Sequence, residues 1–166
     1  GSGGFSDAIA GTDYLALGDV DTTIQGYSTA KRQGKSSIFI DASEFVPRIT
    51  NGAQVEVAER STNKNPYVYL AFDTSTQEFA HAKWRPPKTW NKGTITAIPY
   101  WSHPSTTTNF GVVWGVSAVA ISDDDPTDAA MGTAQTSTDT GGTTNDLYVG
   151  PETSAITVGG SPAEGD

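Results

Sequence analysis

The sequence of 166 residues contains no cysteine, so disulfide bonds and thiolate-bound metals have no place in its fold. Histidine is nearly missing too: His81 and His103 are the two side chains able to act as acids or bases near neutral pH. Neither lies in a nucleophile elbow, and no cysteine offers a nucleophile. We therefore expect no enzyme. A polysaccharide depolymerase is the least favoured class, because no paired carboxylates suggest a cleft.

Long apolar runs are also absent, and apolar residues make up 36% of the chain. No run is long enough to cross a bilayer or to form the apolar region of a signal peptide, so we expect no contact with a membrane. With four Trp, six Tyr and six Phe, the aromatic residues must supply much of any core. The 18 Gly and nine Pro favour short strands joined by turns.

Basic residues are missing from both ends of the sequence. All ten Lys and Arg lie within residues 31–92, where six acidic residues leave a net charge of +4. Residues 1–30 have a net charge of −4, and residues 93–166 have −9. Because the chain as a whole has a net charge of −9, it would repel phosphates, and we expect no nucleic-acid partner.

The longest apolar stretch runs from Phe110 to Ile121 and predicts a central strand. One face is apolar throughout, whereas the other begins with Gly111, Val113 and Gly115, which predicts a closely packed neighbour over the glycines. The turn at Asn91–Gly93 predicts that residues 94–101 form its hairpin partner. Pro99 predicts an edge position or a bulge in that partner.

Further short strands are predicted over residues 38–40, 54–59, 67–73, 77–85, 134–140, 146–149 and 155–158. One helical turn is predicted over residues 125–132, capped by Asp125 and ended by Gly132. This spacing is typical of an all-β protein, an antiparallel jelly-roll-like β-sandwich over residues 36–166. Residues 1–35 have the composition of an extended N-terminal arm or linker.

Two groups of side chains are candidate binding sites. The first reading of the aromatic rings is that they fill a Leu-poor core; the alternative is a glycan site, where aromatic stacking and polar contacts would place the glycan on Trp101, His103 and Asn109. The acidic cluster Asp123, Asp124, Asp125 and Asp128 is the candidate for calcium, which prefers several oxygen ligands from a loop. It lacks the spacing of an EF-hand loop, and capping already accounts for Asp125. We expect no other cofactor.

Several segments resemble a family of bacteriophage proteins encoded among tail and other virion genes. They are FVPRITNGA (residues 45–53), WNKGTITA (90–97), SHPSTTTNFGVVWGVSAVA (102–120), DDDPTDAAMGTAQT (123–136), GGTTNDLYV (141–149) and the terminal AITVGGSPAEGD. The resemblance covers about residues 36–166 and implies a structural role in the virion, but no catalytic residue. Members of the family usually continue past the position of Asp166 with another pair of strands.

With the virion role that the resemblance implies, we expect a homo-oligomer, such as a trimer, on the exterior of a phage particle and hence extracellular. A tail-fibre or receptor-binding component is the first reading, with copies of itself, other virion proteins and a host surface glycan as partners. A capsid decoration protein is the second. The third is a filament subunit in which the N-terminal arm of one copy completes the sheet of the next, because long strand edges are seldom left bare.

Overall fold

The computed structural model describes residues 35–106 and 109–163 of the chain. The arm predicted over residues 1–35 therefore lies outside the described residues, apart from Lys35. Within them, a 3-10 helix over Ala42–Glu44 precedes eight strands. These are β1 (Phe45–Pro47), β2 (Gln54–Glu59), β3 (Pro66–Ala71), β4 (Ala80–Ala82), β5 (Tyr100–Trp101), β6 (Gly111–Val116), β7 (Gln135–Thr140) and β8 (Tyr148–Val149).

The strands form four antiparallel pairs, β1 with β4, β2 with β3, β5 with β8 and β6 with β7. The prediction of an all-β fold is thus confirmed. No strand in the described part belongs to two pairs, so each strand has one edge without a ladder. Isolated two-stranded pairs are marginally stable, because a strand needs neighbours on its face as well as along its edge.

The pair β5–β8 is the centre of a longer ribbon made by residues 95–103 and 145–156. Backbone hydrogen bonds continue the pairing from Ile95 opposite Ile156 to the contact between His103 O and Asn145 N. Along the ribbon the second segment is longer than the first, so extra residues are accommodated as bulges. One extra residue lies in the second segment, between the bonds from Gly150 N to Pro99 O and from Thr153 N to Ala97 O. Pro99 itself precedes β5, which pairs with β8 alone among the described residues, so the proline has the edge position that was predicted and not the bulge.

The prediction that residues 94–101 form a hairpin with the central strand is wrong. β5 pairs with β8, and the central strand, β6, pairs with β7 from Gly111 opposite Thr140 to Val116 opposite Gln135. Sequence periodicity identifies a strand and its faces, but the choice of partner depends on contacts between distant residues.

The inner face of β6–β7 carries Val112, Trp114 and Val116, which are all partly buried, as predicted. The opposite face is open, which corrects the prediction of a neighbour over the glycines. A Cβ atom placed on Gly111 or Gly115 would meet no atom within 4 Å. A backbone neighbour that approaches glycine closely is therefore not found on this face among the described residues.

The part of the chain that the structure describes has few fully buried side chains. Among the described residues, the buried apolar side chains are Ala53, Trp101 and Ile156, and the buried polar ones are His103, Ser137 and Thr153. In the same part of the chain, sixteen large apolar side chains are exposed. Apolar surface that stays in water adds nothing to the stabilisation that burial provides.

Two other local predictions are wrong. Residues 38–40 form no strand, although Phe39 packs edge-on against Tyr100 at 5.6 Å between ring centroids. Residues 125–132 form no helical turn. Instead the Asp125 carboxylate closes a tight turn by accepting from Ser122 N at 3.0 Å, so the aspartate caps a turn and not a helix.

Candidate functional site

Aromatic rings gather on the inner side of the ribbon, around Trp101. The centroid of its ring lies 4.8 Å from that of Tyr148, 5.9 Å from His103, 6.2 Å from Phe110 and 6.3 Å from Trp114. His103 stacks on Tyr148 at 5.6 Å and meets the edge of Phe110 at 4.7 Å. We call these five residues the aromatic cluster. They come from β5, β6, β8 and the loop after β5, so the cluster joins two of the strand pairs.

Polar groups fix the orientation of two rings in the cluster. Trp101 Nε1 donates to the Asp139 carboxylate of β7 at 2.9 Å. The Tyr148 hydroxyl donates to Thr143 O at 2.8 Å and accepts from Gly142 N at 3.0 Å, which holds the turn before β8. These bonds satisfy the polar atoms of side chains that are otherwise enclosed by carbon.

His103 has one ring nitrogen bound and one unpartnered. Its Nδ1 lies 3.1 Å from Ser105 O, and because a carbonyl can only accept, Nδ1 carries the proton of that bond. In the neutral ring Nε2 is then an acceptor, and this buried atom has no partner among the described residues. Trp114 Nε1 is likewise buried without a partner in that part of the chain. Both atoms belong to the aromatic cluster.

The structure buries two of the three residues predicted for a glycan site and exposes the third. Trp101 and His103 are buried, with 8% and 6% of their surfaces exposed, whereas Asn109 is exposed in the loop before β6. Asn109 N donates to Gly141 O at 2.8 Å, which closes that loop against β7. Glycan binding stays a prediction, but the ring faces of Trp101 and His103 are occupied by neighbouring rings and offer no platform for stacking.

The four aspartates predicted for calcium lie in exposed turns. Asp124 adopts a left-handed backbone with φ of 65°, and the Asp125 carboxylate is engaged by Ser122 N. Within residues 35–106 and 109–163, no group of three or more His, Cys, Asp or Glu is placed so that it could hold a metal ion. The arrangement of Asp123, Asp124, Asp125 and Asp128 therefore gives no support to the calcium site that the sequence suggested.

A shallow cleft of about 490 Å³ lies at the turn between β2 and β3 and is lined by polar residues. Arg60 organises it by stacking on the Tyr67 ring at 4.4 Å and donating to the side-chain oxygen of Asn145 at 3.0 Å. Sequence reasoning did not identify this cleft, because residue 145 is far from the turn in the chain. The contacts of Arg60 connect the β2–β3 hairpin to the ribbon. This structural role is sufficient to explain the cleft.

Lys35 fixes the start of the described chain to the ribbon. Its ammonium group lies 2.8 Å from a carboxylate oxygen of Glu152, and the Thr96 hydroxyl donates to the same oxygen. These two donors and the charge of Lys35 lower the pKa of Glu152 below its usual value. Lys35 and Phe39 thus follow the outer side of the ribbon from Thr96 to Tyr100.

Helices long and apolar enough to cross a bilayer do not occur in the part of the chain that the structure describes. Comparison of the chain with protein-family models, with curated proteins and with solved structures found no match.

Proposed function

We propose that the chain is a structural subunit of a phage particle that works as a homo-oligomer, most simply as a tail-fibre or receptor-binding component on the virion exterior. The observation that carries this proposal is the exposed apolar surface. Sixteen large apolar side chains are exposed, against three buried apolar side chains among the described residues. Surface of this kind is typical of subunits that complete their packing against other copies or partner proteins.

The resemblance of residues 36–166 to phage virion proteins supports the location, and the strand pairs support the mode of assembly. In a jelly-roll-like sandwich, the β2–β3 and β6–β7 pairs would each gain neighbouring strands and a covered face. The mechanism is adhesive and mechanical: the sheets and loops dock on identical copies, on other virion proteins and, in a receptor-binding component, on a host surface glycan. No catalytic step is proposed.

A filament subunit is the second candidate, and the unpaired strand edges favour it. Strand β2, for example, pairs only with β3 among the described residues, so its other edge can accept an added strand. Residues 1–34 would supply that strand to the next copy. A capsid decoration protein is a third possibility, with the same exposed surface docked on the capsid.

Light scattering on the full chain and on a variant lacking residues 1–34 distinguishes these candidates. A closed oligomer that survives the deletion is the expected result and supports a fibre component or a decoration protein. Open-ended polymers that disappear when residues 1–34 are deleted would contradict both and support the filament subunit.

Binding to host cells and to bare capsids then separates the two closed forms. A fibre component should bind host cells, and Asn109→Ala should weaken that binding if the loop before β6 contacts the receptor. Binding to bare capsids alone would identify a decoration protein. A strictly monomeric chain at every concentration would overturn the proposal as a whole.

A further inference from the structure

The outer face of the ribbon carries several exposed apolar side chains. Since side chains alternate along a strand, Ile98 and Tyr100 lie on the face opposite Trp101, and Val149 lies directly across from Tyr100. Leu147 is two residues from Val149 on the same segment, and Phe39 packs on the Tyr100 ring. We call these five residues, Phe39, Ile98, Tyr100, Leu147 and Val149, the ribbon patch.

The ribbon patch is large enough to form the centre of an interface. Phe39 and Leu147 are 68% and 69% exposed, and the other three members are about half exposed. Together the five side chains leave on the order of 500 Å² of apolar surface in water, at the upper end of what a soluble monomer shows. A stable complex buries about 800 Å² on each partner, so a modest polar rim would complete the interface.

All five members of the patch are uncharged, and charged side chains lie at its margins. Lys35 and Glu152 form an ion pair at one end, Asp146 precedes Leu147 at the other, and Asp41 follows Phe39 by two residues. These four groups sum to −2 in a chain whose net charge is −9. An acidic partner would be repelled at the margin, and an apolar surface of the same kind is the best match for the centre.

The N-terminal segment fits the patch less well than a second copy does. Residues 1–30 carry four Asp and no basic residue, so their charge complements residues 31–92, with a net charge of +4. The described chain already crosses the ribbon once between Lys35 and Phe39 and leaves Phe39 itself exposed. Another strand laid there would meet a projecting ring, whereas a facing patch can interdigitate with it.

We propose that the ribbon patch binds the same patch on a second copy of the chain, face to face about a two-fold axis. This inference rests on the proposed function, because it names the surface through which the subunit associates. A two-fold contact requires a self-complementary surface, and an apolar patch with Phe39 and Leu147 projecting from it meets that requirement. The two copies repel each other by their net charges, so salt should strengthen the contact by screening.

Equilibrium sedimentation of matched variants tests the patch. Phe39→Ser combined with Leu147→Ser should raise the dissociation constant at least about 100-fold, because four apolar side chains leave each interface. Ile49→Ser combined with Ile121→Ser is the control: both residues are exposed and apolar but lie outside the patch and outside the strands, so the constant should change by less than about threefold. Raising the salt concentration should tighten association of the wild type.

A spin label gives a second readout that does not depend on truncating the patch. The chain has no cysteine, so Val149→Cys introduces a single labelling site. A two-fold contact should give one short distance between labels on two copies, whereas Ile121→Cys outside the patch should not. Suppose that the wild type associates, that the patch variant associates equally well, and that the label shows no such short distance. The patch inference is then wrong, whereas the proposed function stands. If the wild type never associates, the proposed function itself is wrong.

Discussion

Trp101 has more ring neighbours than any other residue of the aromatic cluster, and its indole nitrogen ties β5 to β7. The Asp139 carboxylate that accepts from it also accepts from Thr140 N, so the carboxylate is held from two sides. A hydrogen bond to a charged group in a partly buried setting contributes more than one between neutral groups in water. The burial of Trp101 and this bond together make it the residue on which the cluster depends.

Trp101→Phe should lower the free energy of unfolding by about 2 kcal/mol, because the smaller ring leaves a gap and Asp139 loses its donor. Chemical denaturation monitored by circular dichroism measures the change. Trp84→Phe is the matched control, since Trp84 is exposed and makes no hydrogen bond through its indole nitrogen within the described residues; its cost should stay within about 0.5 kcal/mol. Equal costs for the two variants would contradict the structural role assigned to Trp101.

The burial of Trp101 could have been predicted from its own segment. Ile95, Ala97, Pro99, Trp101 and His103 alternate with exposed residues, and this period of two places Trp101 on the inner face. This agrees with the reading in which the aromatic rings fill a Leu-poor core. Which rings surround Trp101 could not be predicted, because those contacts depend on the pairing of β5 with β8, more than forty residues away, and not with β6.

At the scale of elements, alternation predicted strands better than it predicted their partners. β2 has the predicted bounds, Gln54–Glu59, and β7 begins within one residue of its prediction. The predicted strand over residues 77–85 shrinks to Ala80–Ala82, and the one over 155–158 is reduced to a single bridge at Ile156. Local pattern selects an extended backbone, but the length of a ladder is set by the partner that the fold supplies.

Gly132, in the segment before β7, and Gly115, within β6, have opposite surroundings, and this contrast gives a prediction. Gly132 N and Gly159 N both donate to Ala118 O at 3.0 Å, so three segments meet backbone to backbone. A Cβ on Gly132 would overlap Thr157 O, whereas one on Gly115 would meet nothing within 4 Å. Gly132 is therefore required for close approach, and Gly115 is not.

Gly132→Ala should cost about 1–3 kcal/mol of unfolding free energy because the three segments must separate. Gly115→Ala should be neutral or stabilise by roughly 0.5 kcal/mol, since alanine loses less backbone entropy on folding. Urea denaturation of the two variants beside the wild type gives both values. A cost at Gly115 as large as that at Gly132 would contradict the open face of β6–β7.

At the scale of the whole molecule, a small interior and a large exposed apolar surface have one joint consequence. If copies associate through that surface, folding and association are coupled, because only folded chains can form the oligomer. The stability of the chain then depends on its own concentration. A monomer with a self-sufficient core would show no such dependence, whatever its intrinsic stability.

The melting temperature should therefore rise with protein concentration. For a dimer, a hundredfold increase in protein concentration adds about 2.7 kcal/mol per mole of dimer to the free energy of unfolding. The unfolding entropy is about 2.1 cal/mol/K for each ordered residue of the two chains. Dividing the added free energy by this entropy predicts a rise of about 5 °C in the melting temperature. Scanning calorimetry at the two concentrations measures the shift, and the Phe39→Ser and Leu147→Ser double variant should reduce it at the same concentrations. A melting temperature that does not change with concentration would show that the exposed apolar side chains belong to a stable monomer, and association would then have no part in holding this fold together.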